Sequence, residues 1–437
     1  MYIGRTVLSH VKGFSELDLD FASNSGSYPG WAVVTGDNGS GKTALLRAIS
    51  LAILGPDQSR GILPDLSGWI TDGADRATIS VEIIPHGEYD KTLRGGYPVK
   101  SSFWAEVEII AEGRGTSVRV TDIFRNKKKG AANGPWPATT SGWFALAYGP
   151  FRRLYGSSPD AQRLMVIPGR IPHFATLFKE DATLAEGEEW IKQLAYVRLE
   201  HQVSTSPNSK NPEVQALSDL LDLIGDDFLR QGMSIESVRA DGIHLRDAAG
   251  RLIPLEDMSE GYRSALAMLV DIFRNMVQTY GIEGLVRREG DSVYVDRPGV
   301  VMIDEIDAHL HPRWQREIGD WMKRHFPLVQ FIVTTHSPIV CQSADGGRVY
   351  HVPEPESGQQ PFQLSQDDYE TIITGRSDEV LLTPAFGMDH TRSIRAVRAR
   401  RRHAQLRAKA KSGLSLNAAE SAEIEELTLF ALPSGEA

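Results

Sequence analysis

The sequence predicts an α/β protein with a mostly parallel central sheet, an antiparallel β subdomain, a helical insertion and a C-terminal helical hairpin. Three observations carry that prediction. The apolar run Trp31-Ala-Val-Val-Thr35 leads into the glycine-rich stretch Gly36-Asp-Asn-Gly-Ser-Gly-Lys42-Thr43, and a helical pattern comes next. Gly299-Val-Val-Met-Ile303, Pro312 to His325 and Leu328-Val-Gln-Phe-Ile-Val333 read as strand, helix and strand. Short unbroken apolar runs suit strands buried on both faces, and this order implies parallel strands joined by crossovers. Residues 78–84 and 104–110 instead alternate apolar and polar positions, as half-buried antiparallel strands do.

In chain order, residues 2–35 alternate as strands, with Leu17, Leu19 and Phe21 on one face. A helix is expected over about 42–54, with Ala44, Leu45, Leu46, Ile49, Ala52 and Ile53 on one face and Gly55-Pro56 as its stop. Residues 116–124 suit a further strand, and the Gly/Pro/Asn-rich stretch 130–142 reads as a loop. Helical patterns cover 184–202 and 212–230, and Val238 to Leu255 reads as a hairpin. A helix from about 261 to 279 buries Leu266, Leu269, Ile272, Phe273, Met276 and Val277. Helix returns from Ser377 onward, and Asn417 with Glu420 forms a capping box for the last segment.

The chain has 437 residues, enough for one large domain with insertions or for two. Its net charge of -10 argues against a surface built wholly for nucleic acid, so any such contact must be local. One cysteine, Cys341, leaves no internal disulfide and suits a reducing cytoplasm. The start does not read as a signal peptide, and no run approaches the roughly 20 apolar residues of a membrane span. A cytoplasmic protein without membrane contact is expected.

Gly36–Thr43 matches G-x-x-x-x-G-K-[ST], a loop whose amides point inward as phosphate donors. Gly36, Asp37, Asn38, Gly39, Ser40, Gly41, Lys42, Thr43 and Ala44 are expected around ATP. Lys42 reaches the β- and γ-phosphates, and Thr43 ligates Mg²⁺. Asp304-Glu305 succeeds the strand ending at Ile303, where α/β sheets place ligand chemistry. Asp304 there can hold Mg²⁺, and Glu305 can act as general base on the attacking water. Thr334-Thr335-His336-Ser337-Pro338 puts His336 at the next strand end, within the chemistry of a γ-phosphate sensor. Met258-Ser259-Glu260-Gly261-Tyr262-Arg263 opens a helix, where a hydroxyl, free amides and the helix dipole favour an anion.

The ordered set GDNGSGKT, MSEGYR, VVMIDEIDAHLHP and TTHSP resembles the soluble ABC-type ATPases, the group that includes SMC, RecF and the overcoming-lysogenization-defect proteins. The resemblance runs from the first strands to about residue 352 and is nearest to Septu-type and retron-associated anti-phage ATPases. It implies an ABC-type ATPase domain over 1–352, with a helical and loop insertion at about 125–235, and a mainly helical extension over 353–437. It also implies a head-to-tail dimer or higher oligomer in which Ser259 and Gly261 of one subunit cover ATP on the other. Asp307 matches the family's D-loop at that interface. MSEGYR departs from LSGGQ, and no glutamine-containing loop stands out. Tyr148-Gly-Pro-Phe-Arg152-Arg153 occupies its neighbourhood without an assigned role.

About 215 residues between Thr43 and Ser259 carry no heptads, unlike the arms of SMC proteins, and no D-x-D pair comes after the last sheet motif. Members of this group without a nuclease work with a separately encoded effector, so the likeness implies control of a partner such as an HNH nuclease. The alternatives are a RecF-like DNA-binding ATPase in repair and the energy subunit of a transporter. Two local basic patches could meet nucleic acid: Arg125-Asn-Lys-Lys-Lys129, and the stretch Arg392–Lys411. The second is expected to pair with Glu420, Glu423, Glu425 and Glu426 in a solvated helical hairpin.

Overall fold

The computed structural model describes all residues except 23–25, 93–100, 113–116, 123–129, 138–139, 155, 205–210, 230–231, 240–241, 291 and 432–437. The basic patch at Arg125–Lys129 lies outside the described residues. The strands are β1 Tyr2–Val11, β2 Phe14–Asp20, β3 Gly30–Thr35, β4 Arg76–Ile84, β5 Phe103–Glu112, β6 Ser117–Asp122, β7 Ala145–Tyr148 and β8 Ser234–Arg239. They continue as β9 Gly242–Arg246, β10 Leu252–Pro254, β11 Val286–Glu289, β12 Ser292–Val295, β13 Gly299–Ile303, β14 Val329–Thr334, β15 Arg348–His351 and β16 Phe362–Gln363.

The central sheet has the order β16-β15-β3-β14-β13-β7, parallel except for β16 at its edge. A second sheet, β2-β1-β4-β5-β6, is antiparallel throughout. Alternate residues of the central strands serve two separate cores. Val34, Val300, Met302 and Ile332 pack with the helix after β3 and with the antiparallel sheet. Val33, Val301, Ile303 and Val333 face a layer that includes the helices Ala185–Ser204, Pro212–Gly225, Glu260–Tyr280 and Pro312–His325. Burial on both faces is why these strands are mostly apolar. The two sheets are also joined by hydrogen bonds. Gln330, the second residue of β14 and 1% exposed, accepts from the Ile3 N–H at 2.7 Å and donates to the Ile3 carbonyl at 2.9 Å.

The structure corrects several expectations. The helix after β3 runs over Lys42–Ile62 and is interrupted at Gly55 rather than ended there. Pro56 has no N–H to give the Ala52 carbonyl, and the Trp136 indole donates to it instead, at 2.8 Å. A Cβ on Gly55 would stand 2.6 Å from the Trp136 ring, and Gly55 has φ of 74°. The stretch 130–142 is accordingly not a plain loop: Gly130–Asn133 is a helical turn, and Trp136 ties its own segment to the helix by accepting from Gln58 through its carbonyl. The helical and loop insertion expected at 125–235 also holds a strand, because β7 within it pairs with β13. Ala145-Leu-Ala-Tyr is too short and alanine-rich to show as a strand without that neighbour. The hairpin expected over 238–255 is a three-stranded sheet, β10-β9-β8.

Packing on the sheet continues beyond residue 352, since β16 pairs with β15 and Leu364, Ile372, Val380 and Ala385 join the helical-side core. The C-terminal helices Ile394–Lys411 and Ala418–Ala431 form the expected hairpin. Arg402 meets Glu423 through two bonds of 2.9 and 3.0 Å, and Lys409 meets Glu420 at 2.7 Å. Asn417 and Glu420 exchange the two bonds of the capping box. Among the described residues, no helix is long and apolar enough to cross a membrane.

Candidate active site

β14 lies between β3 and β13, so the loops leaving the carboxyl ends of these three strands emerge side by side. The first is Gly36–Gly41. Gly36 and Gly41 have φ of 143° and 107°, conformations that favour glycine. Space excludes a side chain at both: a Cβ would meet the Val352 carbonyl oxygen at 2.2 Å and the Phe14 ring at 2.7 Å, respectively. Asp37, Asn38 and Gly39 are exposed, whereas Ser40 is buried and its Oγ has no hydrogen-bond partner among the described residues. A buried hydroxyl without a partner costs free energy unless something fills that role, so the loop fits an oxygen-rich ligand such as phosphate. Lys42 Nζ turns into the loop and donates to the carbonyls of Gly36 and Asp37, each at 2.8 Å. Burial lowers the Lys42 pKa, and Asp304, Glu305, Asp37 and Asp307 oppose that shift.

Thr43 and Ala44 lie in the first turn of the next helix. The Thr43 hydroxyl donates to Asp304 Oδ2 at 2.7 Å, bringing the first loop to the end of β13. A hydroxyl beside a carboxylate supplies the hard oxygen donors that a magnesium ion takes. The other carboxylate oxygen, Asp304 Oδ1, accepts from the Thr334 hydroxyl at 2.6 Å. That same hydroxyl accepts the Glu305 N–H at 2.8 Å. Glu305 has φ of 46°, an uncommon conformation for a residue other than glycine. His336 is exposed on the loop after β14. Asp307 accepts from Thr335 Oγ1 at 2.5 Å, a further bond between the segments that leave β13 and β14.

Ser259 is placed elsewhere. It precedes the helix Glu260–Tyr280, is exposed, and makes no side-chain cap bond. Gly261 packs on the loop after β13, where a Cβ would stand 2.2 Å from the His309 carbonyl oxygen. Both residues line an open cleft of about 740 Å³ with Tyr262, His309, Leu310, His311, Arg313 and Trp314. No residue of Gly36–Thr43 lines it. The chain thus gathers Gly36–Thr43, Asp304 and Glu305 at one place and presents Ser259 and Gly261 at another.

Reading the residues alone misses three contributors. Thr334 bridges Asp304 and Glu305, but His336, two positions on, carries the more conspicuous chemistry. Arg152 is buried, with burial pulling its pKa down to about 10, and donates to the carbonyls of Asp304 and Glu305. Arg47, one turn after Thr43, donates to the Leu177 carbonyl at 2.8 Å; burial lowers its pKa, against the attraction of Asp304.

Residues 174–341 match the family model described as "AAA domain, putative AbiEii toxin, Type IV TA system", and residues 7–141 match a second AAA domain model. The Septu protein PtuA of Bacillus mycoides (strain KBAB4) is 25% identical over 80% of this chain and 40% of its own length. The "Retron Ec83 probable ATPase" of Escherichia coli is 40% identical over 21% of this chain and 16% of its own. PtuA of Bacillus thuringiensis is 30% identical over 38% of this chain and 40% of its own. The chain therefore corresponds to less than half the length of each. A solved SMC head bound to the C-winged helix domain of ScpA aligns over 84% of this chain and 99% of that chain, with 17% identity and a TM-score of 0.45.

Proposed function

We propose that this chain, an ATPase of the AAA and SMC/RecF type related to the Septu and retron ATPases, binds ATP with Mg²⁺, hydrolyses it, and uses the cycle to switch a separate effector. The observation that supports this best is the bonded series Thr43–Asp304–Thr334–Glu305, which ties the glycine-rich loop to a fixed acidic residue. In this reading the loop amides of Gly36 to Lys42, the Ser40 hydroxyl and the Lys42 ammonium hold the phosphates, and Ala44 completes the first turn beneath them. Thr43 and Asp304 hold the magnesium ion, which when bound neutralises phosphate charge. Glu305 takes the proton of the water that attacks the γ-phosphorus as the bond to ADP breaks. His336 donates to the γ-phosphate and reports its presence.

Ser259 and Gly261 open on a cleft that holds none of this machinery, which favours a head-to-tail dimer or higher oligomer. Each copy would then cover the other's nucleotide, with Asp307 near the seam. Relatives named as Septu and retron proteins favour a cytoplasmic role in anti-phage defence, with an effector such as an HNH nuclease. The DNA-repair alternative has less support, because Arg402 and Lys409 of the described basic stretch already pair with Glu423 and Glu420.

Glu305→Gln tests the assignment. General-base catalysis contributes ~10²–10⁴-fold, so this variant should bind ATP normally and lose at least ~100-fold in turnover. Turnover at the wild-type rate would refute the mechanism.

A further inference from the structure

The segment Tyr148–Arg153 has no part in the proposed ATPase cycle, yet it runs beside the acidic residues. β7 ends at Tyr148, whose carbonyl accepts the Asp304 N–H at 2.8 Å and so extends the β7–β13 ladder by one bond. The chain then turns through Gly149 and brings back Arg152, which is 3% exposed. Nη1 donates to the carbonyls of Asp304 at 2.9 Å and Gly149 at 3.2 Å, and Nη2 donates to the Glu305 carbonyl at 3.2 Å. All three acceptors are main chain. Their common effect is to fix the backbone just where β13 gives way to Glu305.

That backbone needs fixing. A left-handed φ in a residue with a Cβ costs about 1–2 kcal/mol and persists only where its surroundings impose it. At Glu305 the restraints come from both neighbouring strands. Thr334, at the end of β14, accepts the Glu305 N–H, and the Thr334 carbonyl accepts the Ile306 N–H at 3.0 Å. Arg152, just past β7, holds the Glu305 carbonyl, which also accepts the Ala308 N–H at 2.9 Å. We infer that Arg152 is a positioning residue for hydrolysis, gripping the Glu305 turn from the β7 side so that the carboxylate stays aimed at the attacking water. The inference rests on the ATPase reading of the site.

Arginine suits this task for two reasons. Its planar fork reaches several carbonyls at once from a single rigid group, which a lysine ammonium cannot do. Its charge also survives burial: desolvation lowers its pKa only to about 10, and Asp304, Asp307 and Glu305 offset part of that shift.

Arg152→Met and Arg152→Lys test the assignment, with Glu305→Gln as reference. Hydrogen exchange of the nucleotide-free protein reads the turn directly. Steady-state hydrolysis and binding of a fluorescent ATP analogue read its consequence. In Arg152→Met, the amides of Glu305, Ile306 and Ala308 should exchange at least ~10-fold faster and kcat should fall at least ~10-fold, as a misplaced base implies. Affinity for the analogue should stay within about threefold, since Arg152 touches none of the phosphate-binding residues. Arg152→Lys should lie between wild type and Arg152→Met, and it carries the test alone if the methionine variant fails to fold.

Unchanged exchange, or unchanged kcat while Glu305→Gln is inactive, would overturn the inference and leave the ATPase reading standing. So would wild-type behaviour of Arg152→Lys in both measurements, because charge alone would then suffice. Wild-type protein that binds the analogue without hydrolysing ATP would overturn the ATPase reading, and this inference with it.

Discussion

Thr334→Val removes one oxygen atom from the centre of the site and leaves the shape nearly intact. Thr334 is fully buried, donates to Asp304 Oδ1 at 2.6 Å and accepts the Glu305 N–H at 2.8 Å. The bond to the carboxylate is charge-assisted and contributes about 1.5–3 kcal/mol, and an orphaned N–H costs about 1–3 kcal/mol. Burying the new methyl offsets about 1 kcal/mol, so a net destabilisation of about 3 kcal/mol is expected. Urea unfolding of the nucleotide-free protein measures it through the shift in midpoint at constant slope. Thr334→Ser is the control: it keeps the hydroxyl, loses a methyl and should cost only about 1 kcal/mol. The valine variant should also lose at least ~10-fold in turnover, because Glu305 loses the anchor on its amide. A valine variant within ~0.5 kcal/mol of wild type would refute the reasoning, since that is the range of inert substitutions.

Two further outcomes are expected. With Mg²⁺ and ATP, Glu305→Gln should accumulate as a dimer in light scattering, and adding Ser259→Arg should return it to monomer while ATP binding on Gly36–Thr43 persists; a persistent dimer would remove Ser259 from the interface. His173 is partly buried, with its Nδ1 shielded from solvent, and its pKa falls from 6.5 to about 3, first through desolvation and then through Arg170. A histidine depressed in the folded state gives its full stability above pH 6.5, and that stability is lost as pH falls towards about 3. Between pH 7 and pH 5, His173→Gln should therefore lose about 2 kcal/mol less than wild type in urea titrations, and equal losses would refute this account.

How much of the fold and the site was legible in the residues depends on the forces that decide each feature. β13 and β14 were legible because strands buried on both faces are mostly apolar, as in Gly299–Ile303 and in Phe331-Ile-Val333 within Val329–Thr334. β7 was not, since its strand character comes from pairing with β13 rather than from Ala145-Leu-Ala-Tyr148. The break at Gly55-Pro56 was legible, but the resumption of the helix was not, because it depends on an indole 84 residues away replacing the missing donor. Lys42, Thr43 and Asp304 stood out by spacing within local motifs. Arg152 did not: arginine reads as a surface residue until tertiary packing shows three carbonyls converging on it. MSEGYR marked the start of a helix, but only the seat of Gly261 against His309 shows which way that start faces.

The amide of Gln330 has a mechanical consequence. By offering one donor and one acceptor to Ile3, it imitates a length of backbone near the start of β14, so the antiparallel sheet is riveted to the parallel one there. The helix Lys42–Ile62 packs against both sheets and cannot slide without breaking that rivet or dragging both along. The opposite layer, built on Glu260–Tyr280 and Pro312–His325, meets the other face of the sheet through apolar packing and through the bond from the Tyr148 hydroxyl to Asp271 Oδ2 at 2.7 Å. The loop that grips phosphate therefore rides on a helix held against two sheets that are pinned to each other.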